Sequence, residues 1–453
     1  MAEELTFEPS WVQELPLQPQ SAPVDWQDLP ASLQTQRWFP KASDGSAPQL
    51  AFAGTLCAAP SGFCGDPGEL PDQADTAVYL VQFQDKLLYI PLQLAATPDF
   101  VDGADSPGYL QTVLRVLEVP FETGQTRSLG AEQSNSNAVV DQQYLVKTYR
   151  RLFPGWNPEI LVGEALTRLG SQITPRTYGA TYVQLDGQPY VTNLVSEFVP
   201  GATDAFGEFT SAVWDPIAPA TQLGAVTATM HTELAQCFGS SQALSTAALA
   251  QRVRQELATT LSAVPQLAQQ PWFSSFAREV EATLGALETA GATLPTQKIH
   301  GDYHLGQVLY APARPQPWLV IDFEGEPLRP LAERMLPDVA LRDVAGMLRS
   351  FAYAAAMHQA NQTDRQQGTD ARQVKLAADW EERARNSFLA GYAPQGLTAL
   401  EKLVLEALEI EKTCYECRYE ATFRPDWLPV PLSGLKRFAT TSANPSPLRQ
   451  IID

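Results

Sequence analysis

Three polar side chains between His300 and Pro327 have the types and the spacing needed for catalysis. The segment reads HGDYHLGQVLYAPARPQPWLVIDFEGEP, and two apolar runs in it flank a proline-containing turn, the pattern of a β-hairpin: Gln307–Tyr310 and Trp318–Asp322. Antiparallel pairing brings the first residue of one run and the last residue of the other together at the open end of the hairpin. Asp302 lies just before the first run, in a loop bounded by glycine at that same end.

This set of side chains suits phosphoryl transfer. That reaction needs a carboxylate to accept the proton of the attacking hydroxyl, and a carboxylate with an amide or second carboxylate to hold magnesium on the phosphate oxygens. In protein kinases the catalytic aspartate precedes a metal-binding asparagine by five positions. Asp302 and Gln307 have this spacing (307 − 302 = 5), and Asp322 of the Asp-Phe-Glu sequence corresponds to the aspartate of the kinase Asp-Phe-Gly motif.

We therefore predict that Asp302 is the base and that Gln307 and Asp322 are the metal ligands. The alternative is a surface hairpin with a polar approach loop. An isolated His-Gly-Asp sequence would favour that alternative, whereas the complete set of three groups at matching positions favours catalysis.

Two histidines beside Asp302 receive weaker assignments. His300 is predicted to hold the loop through a backbone contact rather than to take part in catalysis. For His304 two roles stay open, because its side chain suits contact with a substrate and support of the loop equally well.

A phosphotransferase also needs phosphate contacts from an earlier part of the chain, and Lys147 is the candidate. It lies in the alternating pattern Gln143–Tyr149, after the polar loop Gly130–Asn137 and before a helical pattern. This order of loop, strand and helix surrounds the ATP-binding lysine of kinases, although the loop lacks the G-x-G-x-x-G signature. The alternative is a solvated surface lysine. Its partner is expected on the helix, with Glu164 the first choice and Glu159 the second.

The order of elements predicts an α+β protein with two lobes joined near Glu197–Gly201. Alternating patterns at Ala77–Phe83 and Lys86–Leu92 predict a hairpin, and Pro158–Leu169 reads as a helix. The polar stretch Asn361–Gln373 predicts a loop. Apolar residues recur at helical spacing in six later segments: Ala225–Leu234, Leu249–Leu261, Phe273–Thr289, Arg342–His358, Val374–Tyr392 and Leu397–Thr422.

Composition excludes several classes of protein. Of the 453 residues, 44% are hydrophobic, which suffices for a substantial core, and the net charge of −20 disfavours binding to nucleic acids or anionic membranes. Five cysteines do not make a disulfide framework, and Cys414 and Cys417 are interpreted as two ordinary helix residues rather than a redox or metal pair. Without a signal-peptide pattern or a membrane-spanning apolar stretch, we expect a cytoplasmic protein.

Longer blocks of the sequence resemble the bacterial maltokinase family, a branch of the aminoglycoside-phosphotransferase and protein-kinase-like superfamily. The resemblance spans nearly the whole chain, and the DFEGEP and YExxYE blocks are its most specific parts. The matching blocks are Gln36–Phe39, Ala131–Asn135, Tyr149–Leu152, Asn157–Pro158, Glu197–Phe198, Ala202–Asp204, His300–Ser350, Glu411–Lys412, Tyr415–Glu416, Arg418–Glu420 and Arg424–Leu428.

The resemblance implies a bilobal protein-kinase-like fold: an N-terminal cap subdomain (1–105), a β-rich N-lobe (106–200) and a mainly helical C-lobe (201–453). It also implies phosphorylation of maltose at the anomeric hydroxyl, with ATP and Mg²⁺, giving maltose 1-phosphate for α-glucan (glycogen) synthesis. Functional coupling to trehalose synthase is a further implication. On this basis the substrate contacts are placed at His304, Asp343, Tyr415 and Tyr419, and further ATP contacts at Ser134, Asn135, Glu197 and Val199.

Some alternatives stay open at this level. Tyr415 and Tyr419 are four positions apart and share a helix face, which suits the apolar face of a sugar ring but also suits core packing. The acceptor could instead be another sugar, an amino sugar or an aminoglycoside, because these kinases share the His-Gly-Asp core. A non-catalytic, kinase-like partner of trehalose synthase is the remaining alternative, and the complete set of catalytic groups argues against it.

Overall fold

The computed structural model divides the chain into two compact units, which are described in turn. It describes residues 9–19, 39, 49–56, 76–83, 86–94, 100–130, 135–211, 215–326, 329–366 and 371–439. The first unit consists of Met1–Gly170, Thr174–Gly201 and Arg329–Glu333. The second consists of Ser171–Ile173, Ala202–Leu328 and Arg334–Asp453. The prediction of three parts, at 1–105, 106–200 and 201–453, stays a prediction.

Two β-sheets dominate the first unit. Its described strands are β1 (Val12–Glu14), β2 (Leu17–Pro19), β3 (Gln49–Leu56), β4 (Thr76–Phe83), β5 (Lys86–Leu94), β6 (Phe100–Asp102), β7 (Thr126–Ser128), β8 (Ser136–Val140), β9 (Tyr144–Thr148), β10 (Arg151–Leu152), β11 (Thr177–Leu185) and β12 (Gln188–Glu197). One sheet has the order β1-β11-β12-β9-β8-β7 and the other β10-β5-β4-β3-β2, with β6 paired to β5. The predicted hairpin is β4 and β5, which pair antiparallel.

Helices α1 (Pro107–Val116) and α2 (Pro158–Leu169) also belong to this unit. Residues of both sheets and both helices form one apolar core that includes Leu80, Val113, Val146 and Ile160. Strand β9 alternates between buried and half-buried positions, so Lys147 leaves the sheet on the face opposite Val146. The sheet thereby presents the predicted lysine away from the core.

Local signals explain the bounds of α2, which are those predicted from the sequence. Asn157 caps the helix by accepting a hydrogen bond from the backbone N–H of Glu159 at 2.9 Å, and Pro158 occupies the first helical position, where its missing N–H has no partner to lose. Gly170 ends the helix in the left-handed conformation, with φ 78°.

The parallel pairing of β1 with β11 was not predicted. Val12 lies opposite Ala180 in this pair, and the approach of the two segments is close at Gly179. A side chain there would place its Cβ 2.8 Å from the backbone oxygen of Trp11, so a glycine is required.

The second unit is mainly helical. Its helices within the described residues are α3 (Ala205–Thr210), α4 (Ile217–Phe238), α5 (Thr246–Ala263), α6 (Phe273–Ala290), α7 (Leu331–Arg334), α8 (Leu341–Gln366), α9 (Ala371–Tyr392), α10 (Ala399–Phe423) and α11 (Pro429–Ala439). The first three residues of α7 belong to the first unit. Its described strands are β13 (Thr203–Asp204), β14 (Ser240–Ser245), β15 (Thr293–Gln297), β16 (Val308–Tyr310) and β17 (Trp318–Val320). No helix in the described part of the chain is both long and apolar enough to cross a membrane.

The α+β class and the six later helices predicted from the sequence are confirmed, but two details are wrong. The stretch Asn361–Gln373, predicted as a loop, is helical up to Gln366 and again from Ala371. Glutamine and arginine are good helix formers, so they propagate a helix that the apolar part of α8 has already nucleated. The antiparallel pair β14 and β15 was missed. Strand β14 is serine-rich and has no β-branched or aromatic residue, and β15 has a proline at its centre, which argues against a strand.

Buried ion pairs fix α10 against the neighbouring helices. Glu409 on α10 lies 2.7 Å from Arg385 on α9, and Glu416 lies 2.8 Å from Arg349 on α8. The helix starts with a complete capping box between Thr398 and Glu401. A buried charge that loses its partner is strongly destabilising, so these pairs restrict both the rotation and the position of α10.

Candidate active site

The predicted hairpin is present, and it brings its two polar ends together. Strands β16 and β17 pair antiparallel, with Leu309 opposite Leu319. A 3₁₀ turn ends at Gln307 directly before β16, and Asp322 follows β17 by two residues. The Gln307 side chain donates a hydrogen bond from Nε2 to Asp322 Oδ2 at 2.8 Å, which confirms the predicted convergence.

Asp322 has an uncommon backbone conformation for a residue with a side chain. Its φ is 65°, in the left-handed region. Such a conformation is costly and persists where the surroundings determine it, a situation that is frequent at functional sites. Here the preceding N–H of Ile321 donates to the Gln307 carbonyl oxygen at 3.0 Å, and the next residue, Phe323, packs its ring 4.9 Å from that of His300.

The loop carrying Asp302 is held from below by Asp343 on α8. The carboxylate of Asp343 accepts the backbone N–H groups of His300 at 2.7 Å and Gly301 at 2.9 Å. The His300 ring contacts the carbonyl oxygen of Ile321 through Nε2 at 2.9 Å, as predicted for a loop-holding histidine. Backbone contacts of this kind fix the loop without constraining the Asp302 side chain.

The predicted contact between Asp343 and a substrate stays a prediction, and the contacts of Asp343 in the structure are with the loop. Only 1% of Asp343 is exposed, and its carboxylate also contacts His231 Nε2 at 3.2 Å. Burial raises the pKa of Asp343, but the hydrogen bond and charge of His231, the charge of His300 and the Gly301 N–H outweigh burial and hold the pKa below its usual value. Asp343 is therefore a buried, ionised support for the loop.

Lys298, just before the loop that carries Asp302, is a second buried ionisable residue near that loop. It is 3% exposed, and its Nζ donates to the carbonyl oxygen of Arg334 at 3.0 Å. Burial lowers its pKa to about 8, and the nearby Asp343 charge opposes that shift only in part. The residue links the chain before the loop that carries Asp302 to the chain that follows the hairpin.

His304 supports the loop in this structure. Its Nδ1 accepts the backbone N–H of Gly306 at 3.1 Å and so caps the short 3₁₀ turn. The pKa of His304 is lowered, mainly by burial. The charge of Asp302 opposes this shift, and the charge of Lys412 adds to it. This observation matches one of the two predicted roles, and contact with a substrate stays a prediction.

Asp302 itself is half-buried and has a cationic neighbour that the sequence analysis missed. Lys412 on α10 places its Nζ 3.7 Å from Asp302 Oδ1. The two residues are 110 positions apart (412 − 302 = 110) and on different elements, so no local pattern reveals the contact. The only signal in the sequence was the Glu411–Lys412 block of the family resemblance.

The donor set around Asp322 fits a hard divalent cation such as Mg²⁺. Asp322 and Glu324 offer carboxylate oxygens within 4.8 Å of one another, and the Gln307 amide is adjacent. Oxygen ligands of this kind are what Mg²⁺ prefers. The Gln307 amide directs its nitrogen at Asp322, so a half-turn of the amide is needed for its oxygen to face a shared ion. Glu324 was not predicted as a ligand, and Arg334 lies 3.9 Å from it.

In the first unit Lys147 pairs with Glu159. The Lys147 Nζ lies 2.7 Å from Glu159 Oε2, with 13% of each side chain exposed. The Tyr149 hydroxyl donates to the same oxygen, also at 2.7 Å. The partial burial makes this pair more restrictive than a solvent-exposed salt bridge, and a fixed lysine of this kind is what an ATP-binding role requires.

The first choice for the partner of Lys147, Glu164, is therefore wrong. Five helix positions separate it from Glu159, which turns its side chain about 140° around α2. Its carboxylate accepts the backbone N–H groups of Ser10 at 2.9 Å and Trp11 at 3.2 Å, and Arg168 lies 2.7 Å from it. The signal that favours Glu159 is its place in the first turn, where the helix dipole stabilises a carboxylate.

The remaining predicted ATP contacts also lie in the first unit, apart from Ser134, which is outside the described residues. Asn135 directly precedes β8. Glu197 ends β12, and its N–H donates to the Arg176 carbonyl oxygen at 2.7 Å. Val199 follows and is buried. Their contacts with a nucleotide stay predictions.

Tyr415 and Tyr419 share one face of α10, as predicted. Their ring centroids are 6.3 Å apart at an interplanar angle of 24°. Both rings are half-buried, and each has a cationic side chain near its face. The Lys412 Nζ lies 5.0 Å from the centroid of the Tyr415 ring, and the Arg424 guanidinium carbon lies 5.4 Å from that of the Tyr419 ring. The pair is therefore not part of the apolar core, and its contact with a sugar stays a prediction.

No family model matches the chain, but similar proteins are known. It is 28% identical over 334 residues to a glucosamine kinase of Streptacidiphilus jiangxiensis, covering 68% of this chain and 72% of that protein. It is 29% identical over 329 residues to a glucosamine kinase of Mycolicibacterium smegmatis, covering 68% of this chain and 78% of that protein.

Solved structures show the same fold. A glucosamine kinase in complex with glucosamine, ADP and inorganic phosphate has a TM-score of 0.63 and 24% identity, over 88% of this chain and 95% of that one. Crystal form B of a glucosamine kinase has a TM-score of 0.65 and 23% identity, over 91% and 97%.

The chain thus has an α+β protein-kinase-like fold with a helical C-terminal part. The two sequence relatives named above are glucosamine kinases, and the narrower resemblance to maltokinases stays a prediction.

Proposed function

We propose that this protein is an ATP-dependent sugar kinase in which Asp302 is the base. The observation that carries the proposal is the hydrogen bond between Gln307 and Asp322 at the open end of the hairpin, together with the place of Asp302 on a loop whose backbone is held by Asp343. In the reaction, the sugar hydroxyl gives its proton to Asp302 as its oxygen forms a bond to the γ-phosphorus. The bond from that phosphorus to the bridging oxygen of ATP breaks, and ADP leaves with the electron pair.

The other residues bind and orient the reactants. Mg²⁺, when bound by Gln307 and Asp322 with Glu324 nearby, neutralises charge on the phosphate oxygens. Lys147, fixed by Glu159, supplies a cation for the nucleotide phosphates. Since this chemistry consumes ATP, we place the protein in the cytoplasm.

An amino sugar, with glucosamine as the first candidate, is the acceptor that we favour. Both sequence relatives described above carry the name glucosamine kinase.

Maltose is the second candidate acceptor. Its support is the stacked pair Tyr415 and Tyr419, since two aromatic rings one helix turn apart suit the apolar faces of a disaccharide. The product would be maltose 1-phosphate, and coupling to a trehalose synthase would follow from that role.

A panel of acceptors tests the proposal. The purified protein is incubated with ATP and Mg²⁺ and with glucosamine, N-acetylglucosamine, glucose, maltose or kanamycin. ADP release gives the rate, and ³¹P NMR gives the position of the phosphate. Glucosamine and N-acetylglucosamine form a matched pair that differs in the charge of the amine, and Asp322→Ala is the inactive control.

Turnover of glucosamine with little turnover of its N-acetyl form supports the amino-sugar proposal. An acid-labile 1-phosphate formed from maltose alone supports the second candidate. If the protein binds ADP but phosphorylates none of the five acceptors, sugar kinase activity is contradicted and the non-catalytic alternative gains support.

A further inference from the structure

Lys412 has no assigned role, and its surroundings point to one. Its Nζ lies 3.7 Å from Asp302 Oδ1 and 5.0 Å from the centre of the Tyr415 ring. The side chains of Lys412 and Asp302 are 29% and 21% exposed. The ion pair is therefore partly shielded, which leaves it less weakened by solvent and salt than an exposed pair.

Glu416, one helix turn after Lys412, does not account for the position of the Lys412 side chain. Glu416 is buried, and Arg349 meets it with Nε at 2.9 Å and Nη2 at 2.8 Å. This buried carboxylate thus has a guanidinium partner of its own. The catalytic loop from His300 to Gln307 contains neither lysine nor arginine, so the cation beside Asp302 comes from α10.

The helix holds Lys412 at a defined place. Glu409, three positions before it, pairs with Arg385, and Glu416, four positions after it, pairs with Arg349. These two buried pairs are on either side of Lys412 along α10 and restrict the rotation of the helix. A cation on a restrained helix positions its partner better than one on a mobile loop.

We propose that Lys412 is a positioning residue for phosphoryl transfer, which holds the Asp302 carboxylate toward the acceptor hydroxyl. By engaging Oδ1, the ammonium restricts rotation of the carboxylate, so the second oxygen is presented at a fixed position to the hydroxyl proton. The proton then passes to Asp302 as the bond from the acceptor oxygen to phosphorus forms and ADP leaves. The inference rests on the proposed function and adds a residue to it. Small misplacements of a reacting group cost large factors in rate.

Substitutions of Lys412 test the inference by steady-state kinetics with the best acceptor of the panel. We expect K412M to lower kcat about 10- to 100-fold and to change the acceptor KM less than about threefold. K412R, which keeps the positive charge, should recover kcat to within about threefold. The matched control is K402M, on the same helix but about 15 Å away along its axis, and it should behave as the wild type.

A double-mutant cycle separates positioning from an independent effect. If Lys412 acts through Asp302, K412M should change kcat less than about twofold in a D302N background. If K412M lowers kcat in the D302N background by the same factor as in the wild type, Lys412 acts on another group, and the inference is overturned. ADP affinity and thermal melting of each variant show whether the fold is retained. If K412M does not fold, K412Q replaces it with the same expected loss.

The outcomes also separate this inference from the proposed function. An active wild type with an unimpaired K412M overturns the inference alone. A wild type that phosphorylates no acceptor overturns the proposed function and the inference together. An equal loss in K412R and K412M would contradict a role for the charge and overturn the inference as well.

Discussion

The loop around Asp302 and the pair formed by Lys147 and Glu159 are built in different ways. The loop is fixed by its backbone, since the N–H groups of His300 and Gly301 donate to a buried carboxylate. The lysine side chain, in contrast, is held by a side-chain contact, its pairing with the half-buried carboxylate of Glu159. A group that must receive a proton at a defined point needs a rigid loop, whereas a cation that contacts phosphate oxygens acts over a wider range of positions.

The largest effect is expected for a substitution in the rigid loop, at Asp302. Asp302→Asn removes the base but keeps the size of the side chain, so kcat should fall about a thousandfold, within the range for loss of a general base. Nucleotide affinity should change little, because the proposed role of Asp302 is toward the acceptor and not the nucleotide. ADP release measures the first quantity, and displacement of a fluorescent nucleotide measures the second. Near-normal turnover would contradict the role of Asp302.

An intermediate effect is expected for the lysine pair. Glu159→Gln removes the charge that holds Lys147, and kcat/KM for ATP should fall about 10- to 100-fold. Glu164→Gln is the matched control on the same helix: it should leave kcat/KM within about threefold and lower the melting temperature, since it weakens the contacts with Ser10 and Trp11. Equal kinetic losses in both variants would mean that α2 acts only as a scaffold.

The smallest effect concerns stability and its dependence on pH. The pKa of Lys298 is lowered from 10.5 to about 8 in the folded protein. The unfolded chain therefore binds more protons between these values, and the contribution of this group to the free energy of unfolding rises with pH across that window. Integrated over the window, the change is about 3 kcal/mol.

Lys298→Met removes this dependence. The free energy of unfolding of the variant relative to that of the wild type should be highest below pH 8 and should fall as pH rises from 8 to 10. The loss of the hydrogen bond to Arg334 adds an offset that does not vary with pH. Urea unfolding at pH 7, 8, 9 and 10 measures the difference, with Lys402→Met as a control that should show no such trend. A relative stability that increases with pH would show that folding raises the pKa of Lys298 rather than lowering it.

The comparison also explains which parts of the site could be predicted from the sequence. The convergence of Gln307 and Asp322 follows from one hairpin, because register and turn are local. The bounds of α2 follow from Asn157, Pro158 and Gly170. These features need only neighbouring residues, which is why the sequence alone was sufficient.

Contacts between distant elements could not be predicted in the same way. The partner of Lys147 depends on which face of α2 meets β9, and the sequence offered two acidic residues on different faces. The burial of Asp343 and the approach of Lys412 depend on how α8 and α10 pack, which no spacing encodes. The family resemblance marked both residues but could not separate support of the loop from contact with substrate.

The ion pairs along α10 have a consequence for changes in the length of the chain. One inserted residue between Glu409 and Lys412 would turn the rest of the helix by about 100°, so Lys412 and Glu416 would both leave their partners. An insertion near seven residues, about two turns, would restore the direction of these side chains but shift them by about 10 Å along the axis. Substitutions can therefore accumulate on the outer face of this helix, whereas insertions and deletions in its middle are not tolerated.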